Sequence, residues 1–194
     1  MCGRYYVSED MLDEMEEIVL EVDRKIRDEK FGKDIYPTNP APVITGGSNG
    51  LKMTVQHWGY PGFQGKGVIF NARAESVFTK KMFASGIRQQ RAVIPANSFY
   101  EWNQSKEKNI FFRKDSKVMY LAGFYDNFIG DNKFVIVTTA ANDSMIKTHD
   151  RMPLVLEKEQ LDKWIYDDSA TEMILRQIPA MLDKQTDYEQ QTLF

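Results

Sequence analysis

The sequence predicts an α+β fold, a single domain over residues 1–194 with a curved or barrel-like, mainly antiparallel β core flanked by helices. Three observations carry this. Short apolar or alternating runs, separated by Gly, Pro, Asn and Ser, fill the middle of the chain. Helical periodicity is sustained only near the N-terminus and recurs later in short pieces. Finally, 194 residues that are 42% hydrophobic, with twelve Phe, nine Tyr and three Trp, suffice for one packed interior, and no repeat or linker divides them.

The elements follow in order. Ser8 is placed to cap a helix in which Leu12, Met15, Ile18, Val19, Val22 and Ile26 recur at spacings of three and four, ending near Gly32. A Pro-rich connector, residues 36–42, leads to Val43-Ile44. Across a Gly-rich turn, Leu51, Met53, Val55 and His57 alternate with polar residues, which predicts a hairpin. Val68-Ile69-Phe70 is a short strand that delivers Asn71-Ala72-Arg73, and Phe78, Met82, Phe83 and Ile87 suggest a helix before Arg91. Strands are expected at residues 92–95, 99–102, 110–112, 118–124, 134–139 and 154–156. A helical piece is expected at residues 143–148, and Leu161, Trp164 and Ile165 mark a late helix.

Composition excludes several classes. No run approaches the ~20 apolar residues of a membrane-spanning helix, and the N-terminus lacks a secretory pattern, so a cytoplasmic protein with no membrane association is expected. The single Cys cannot form an intramolecular disulfide, in keeping with a reducing compartment. A net charge of -3 argues against a generally basic nucleic-acid binder, but the acidic residues crowd the first helix and the C-terminal third, which permits a local basic groove elsewhere. There is no phosphate-loop motif. One Cys and two His show no metal-ligand spacing, so neither metal nor cofactor is expected.

Cys2 is the most informative residue. Removal of Met1, which so small a neighbouring side chain should allow, would leave a 1,2-aminothiol. Its α-amine, with an ordinary pKa of about 7.7 to 8.0, is partly unprotonated near neutral pH and can form a Schiff base with an aldehyde. The adjacent thiolate can then close a thiazolidine ring.

The string Met1-Cys2-Gly3-Arg4 resembles the start of the SRAP family, the SOS-response-associated peptidases that sense abasic sites. Matches continue in family order through Trp58-Gly59-Tyr60, Asn71-Ala72-Arg73-Ala74-Glu75, Phe99-Tyr100-Glu101-Trp102 and His149-Asp150-Arg151-Met152-Pro153-Leu154. Beyond residue 154 the resemblance is weak. Asn97-Ser98 stand where relatives often place a glycine, which bears on the local turn and not on the chemistry.

The resemblance implies covalent capture of abasic sites in single-stranded DNA through Cys2, with Asn71, Glu101 and His149 completing the active site; separately, a monomer is expected. A histidine suits proton transfer in either direction while the closed sugar opens to its aldehyde. Glu101, between aromatic residues, is expected to be buried with a raised pKa, serving as a proton shuttle or orienting the Cys2 amine. Asn71 would position the opened sugar. For DNA the resemblance points to Arg4, Arg73 and Lys81 along the backbone and to Trp58 stacking or wedging against a base, with the core as an equal reading for Trp58. Arg151, inside the His149 motif, is a further candidate for DNA contact, with a phosphate or a carboxylate as its partner. Two other readings stay open. One is a cysteine peptidase or amidohydrolase using Cys2 and His149; the other is a module that binds single-stranded DNA without a covalent step.

Overall fold

The computed structural model describes residues 3–28 and 31–186. The chain begins with β1 (Tyr5–Val7), and the Ser8 side chain accepts from the Met11 N–H to cap α1 (Glu9–Glu16). The helix stops there, so the expected run to Gly32 is corrected. Residues 18–22 hold three β-branched residues, and β2 (Glu21–Val22) pairs in parallel with a strand that follows, before α2 (Arg24–Asp28) restarts the helical path. Next come β3 (Lys33–Ile35), β4 (Pro40–Gly46) and β5 (Leu51–Trp58), the last two forming the expected hairpin with Ile44 opposite Met53.

A small ribbon of β6 (Tyr60–Pro61) and β7 (Val68–Ile69) leads to β8 (Asn71–Arg73) and a short α3 (Ala84–Gln89). The remaining strands are β9 (Arg91–Ala96), β10 (Ser98–Trp102), β11 (Lys108–Phe112), β12 (Met119–Phe128), β13 (Asp131–Ala140), β14 (Arg151–Pro153) and β15 (Val155–Leu156). The chain closes with α4 (Leu161–Tyr166), α5 (Asp168–Arg176) and β16 (Asp183–Thr186). Residues 143–148 are hydrogen-bonded turns and not the helix expected there.

Strands β5, β4, β9, β12 and β13 are neighbours in that order, and β13 pairs back onto β5, closing a barrel. Every seam is antiparallel except this last one, where Lys133 faces His57 and Phe134 faces Trp58 in parallel. β9 is buried along its whole length, and a Cβ at Gly123 would lie 2.3 Å from the Ile94 side chain and 2.6 Å from the Val135 carbonyl. Only glycine fits where the strands approach so closely. A second, antiparallel sheet, ordered β16-β11-β10-β1-β3, springs from the barrel at Asn97, between β9 and β10. The fold class is the one read from the sequence.

β13 is the hub. Its early residues meet β5, its middle pairs in parallel with β8 and its end pairs antiparallel with β14. The segments bearing Asn71 and His149 therefore flank a single barrel strand.

Candidate active site

Cys2, the expected nucleophile, lies outside the described residues. The strand that follows it is well fixed. Tyr5 faces Phe99 across β1 and β10, and the Tyr100 N–H donates to the Arg4 carbonyl at 3.0 Å. The same register, continued by one residue, sets Gly3 opposite Glu101. Alternation along β10 sends Phe99 and Glu101 inward and Tyr100 and Trp102 to the other face, leaving Glu101 only 6% exposed and Trp102 41% exposed. The expected burial of the carboxylate is present.

Asn71 opens β8 opposite Ile136, and Ala72 turns into the core while Arg73 is exposed. Its position depends on Trp58. That indole donates to the Phe70 carbonyl at 2.9 Å, stands edge-on to Phe70 at 5.6 Å and to Tyr5 at 5.0 Å, and stacks on Phe134 at 6.4 Å. Trp58 is 0% exposed, so of its two readings the structure shows the core one and not the ring that meets a base. The ring is a strut joining the N-terminal strand to the Asn71 strand. Gly59 follows with φ +108, and a Cβ there would lie 2.3 Å from Val68, so the Trp-Gly pair has a steric reason.

His149 follows the turn at residues 143–148, where its N–H donates to the Met145 carbonyl at 3.0 Å. The Arg151 N–H donates to His149 Nδ1 at 3.0 Å, and Asp150 Oδ1 lies 2.8 Å from the same nitrogen. A carboxylate only accepts, so the Arg151 N–H requires a bare Nδ1, whereas donation to Asp150 requires a proton on that nitrogen, which either the Nδ1–H tautomer or the doubly protonated ring supplies. Because a backbone N–H is always a donor, the Arg151 contact fits the tautomer that carries its proton on Nε2.

Arg151 meets a carboxylate. Nη1 donates to Glu75 Oε1 at 2.6 Å, while Nη2 donates to Glu75 Oε2 at 2.9 Å and to the Thr138 carbonyl at 2.6 Å. Of the two partners open to it, phosphate or carboxylate, the structure shows the carboxylate, and the side chain is only 12% exposed. Hydrogen bonding from Arg151 holds the Glu75 carboxyl below its usual range. The pair ties the segment after Asn71 to the segment after His149. Glu75 closes the Asn71-Ala72-Arg73-Ala74-Glu75 motif, yet nothing in that local string signals its distant partner.

Arg4 lies on the outer face of the second sheet. Its guanidinium is bonded to Asp34 and sits 5.1 Å from the Tyr36 ring centroid and 4.7 Å from that of Tyr100. Lys108 Nζ approaches Tyr100 at 4.5 Å, and burial, followed by Asp34, pushes the Tyr100 phenol up to about 12. Cation–aromatic packing therefore holds Arg4 in place. Asp34, Tyr36, Tyr100 and Lys108 escaped the sequence reading because the cluster crosses four strand or loop segments. Lys81 is exposed on the turn before α3.

Among the described residues, no group of three or more His, Cys, Asp or Glu is placed to hold a metal ion, and no helix is long and apolar enough to cross a membrane. The structure holds a buried carboxylate on β10 beside the N-terminal strand, and an amide and an imidazole on segments that flank β13. Such groups can move protons and orient a polar substrate.

Comparison with known proteins identifies relatives along most of the chain. The chain is 29% identical over 176 residues to the abasic site processing protein YedK of Escherichia coli (strain K12), covering 85% of this chain and 79% of that protein. It is 30% identical over 182 residues to the abasic site processing protein YoqW of Bacillus subtilis (strain 168), covering 85% and 80%. A crystal structure of a Bacteroides thetaiotaomicron protein superposes with a TM-score of 0.82 at 21% identity, over 95% of this chain and 91% of that one. The model of the SOS response associated peptidase (SRAP) family matches residues 1–191, and the chain belongs to that family.

Proposed function

We propose that this protein processes abasic sites in single-stranded DNA by covalent capture on Cys2 once Met1 is removed. The Cys2 α-amine adds to the sugar aldehyde and the adduct loses water to give an iminium. The thiolate sulfur then bonds to the same carbon, and the nitrogen takes up the iminium electron pair. One water leaves overall, and no oxidant or reductant is required. His149 moves protons while the closed sugar opens, Glu101 orients the amine, and Asn71 hydrogen-bonds the opened sugar.

The observation that carries this reading is the register of β1 on β10, which puts the buried Glu101 opposite Gly3, one peptide bond from Cys2. A carboxylate on that strand is the group we assign to steering the amine. The relatives' names, abasic site processing protein, support the same substrate. Arg73, exposed at the end of β8, and Arg4 supply positive charge for the DNA backbone, and Lys81 adds to it from its turn.

The test is a denaturing gel of the Met1-processed protein incubated with abasic and intact oligonucleotides. A heat-stable shifted band is expected with the abasic strand only, and Cys2→Ala should remove it without unfolding the protein. Undiminished crosslinking by that variant would refute the thiazolidine. Cleavage of peptides without any adduct would favour the peptidase reading.

A further inference from the structure

The Glu75–Arg151 pair is an obstacle if Arg151 exists only to meet phosphate, because the carboxylate and the Thr138 carbonyl already engage both terminal nitrogens. It makes sense as a brace. Arg151 pairs with Ala140 on β13, and its own N–H is the donor that meets His149 Nδ1 at 3.0 Å. Its guanidinium reaches past Thr138, the residue opposite Arg73, to fork onto Glu75 just beyond β8. One residue thus touches the imidazole through its backbone and the Asn71-bearing segment through its side chain.

We infer that Glu75 and Arg151 are positioning residues that fix the tautomer and place of His149. The inference rests on the proposed function and deepens it. Holding Nδ1 as acceptor keeps the neutral ring's proton on Nε2, so the nitrogen pointing away from Arg151 is the one that can donate. Without the fork, Arg151 keeps its strand pairing and its bond to the Thr138 carbonyl but loses its tie to the segment after β8, and the neighbouring Asp150 carboxylate competes for Nδ1 by favouring a protonated nitrogen there. The ring then divides between tautomers.

The chain has two histidines, which makes the test clean. Long-range proton–nitrogen NMR of labelled protein reports the protonation of each ring nitrogen, and His57, whose Nδ1 faces Asp131 at 2.9 Å, serves as internal control. In the unmodified protein, at a pH where the ring is neutral, His149 should show an unprotonated Nδ1 and a protonated Nε2. Glu75→Ala should bring the two His149 nitrogen shifts together and leave those of His57 unmoved. It should slow adduct formation on a natural abasic site by about 10- to 100-fold, the size typical of groups that orient a histidine from behind. Glu75→Gln, which keeps one oxygen as acceptor, should be intermediate in both readouts and serves alone if the alanine variant does not fold.

Unchanged His149 shifts in a folded variant overturn the inference, as does a protonated Nδ1 in the unmodified protein. Tighter binding of intact single-stranded DNA by Glu75→Ala with an unmoved tautomer would also overturn it, identifying Glu75 as a competitor of phosphate. If the unmodified protein forms no adduct at all, the functional reading fails, while the tautomer measurement still decides the brace.

Discussion

Trp58 and Arg73 show how differently two residues of the same motif set can act. An indole that stacked on bases could be truncated with little loss of stability, whereas this one is buried among Tyr5, Phe70 and Phe134. Trp58→Ala should therefore destabilise the protein by about 3 to 5 kcal/mol in denaturant titrations. Trp58→Phe should cost only about 1 kcal/mol, because the Phe70 carbonyl keeps a second donor, the Ile136 N–H at 3.1 Å. A near-neutral alanine variant would restore the stacking role. Arg73 is exposed, and Arg73→Ala should reduce the log-log salt slope of single-stranded DNA binding by about 0.7. Arg4→Ala should reduce it less, since Asp34 already neutralises that guanidinium. Equal slopes for Arg73→Ala and unmodified protein would take Arg73 off the DNA path.

At the scale of elements, the strands were legible and the helices were less so. The β4–β5 hairpin, β9, β10 and β13 follow from β-branched and aromatic runs bounded by turn residues, and these strands build the barrel and carry Glu101. The first helix was overextended because Ile18, Val19 and Val22 fit a helical spacing as well as an extended one, and pairing of Val22 with Met53 decided between them. α5 was missed, its buried Ala170, Thr171, Ile174 and Leu175 giving too few large apolar residues for the eye. The site was legible as motifs but not as pairings, since no local signal joins Glu75 to Arg151 or His57 to Asp131. Those pairings predict acid sensitivity. Arg151 holds Glu75 below its usual range, and although burial works against the Asp131 carboxylate, Lys133 and His57 outweigh it and hold that group low too. A depressed folded value contributes stability that is present above the unfolded pKa, about 4.3 for Glu and 3.9 for Asp, and is lost as pH falls through the folded value. The urea midpoint should drop below about pH 4, modestly because both groups are solvent-screened, and Glu75→Gln should flatten the decline. A midpoint that rises with acid would contradict both pairings.

Across the whole molecule, closure of the barrel and assembly of the candidate site depend on the same short seam. β13 meets β5 through Lys133–His57 and Phe134–Trp58, with the Gly59 N–H donating to the Phe134 carbonyl at 2.7 Å. Phe134 stacks on Trp58 within 6° of parallel, and Trp58 in turn holds Tyr5 of the second sheet and Phe70 beside Asn71. A parallel seam this short has few hydrogen bonds of its own, so side-chain packing must supply most of its stability. Phe134→Ala should then cost about 3 to 5 kcal/mol, the range for truncating a buried ring. Its local signature separates the seam from the core at large. Amide exchange should quicken at Trp58, Gly59 and Phe70, where β5 and β8 lean on the lost ring, while the β9–β12 pairing opens only with global unfolding. Adduct formation should fall further than the loss of folded protein explains, because the strand following Cys2 and the strand carrying Asn71 lose their common strut. Uniform acceleration of exchange, with adduct formation tracking only the folded fraction, would mean that the seam stabilises the barrel without positioning the site.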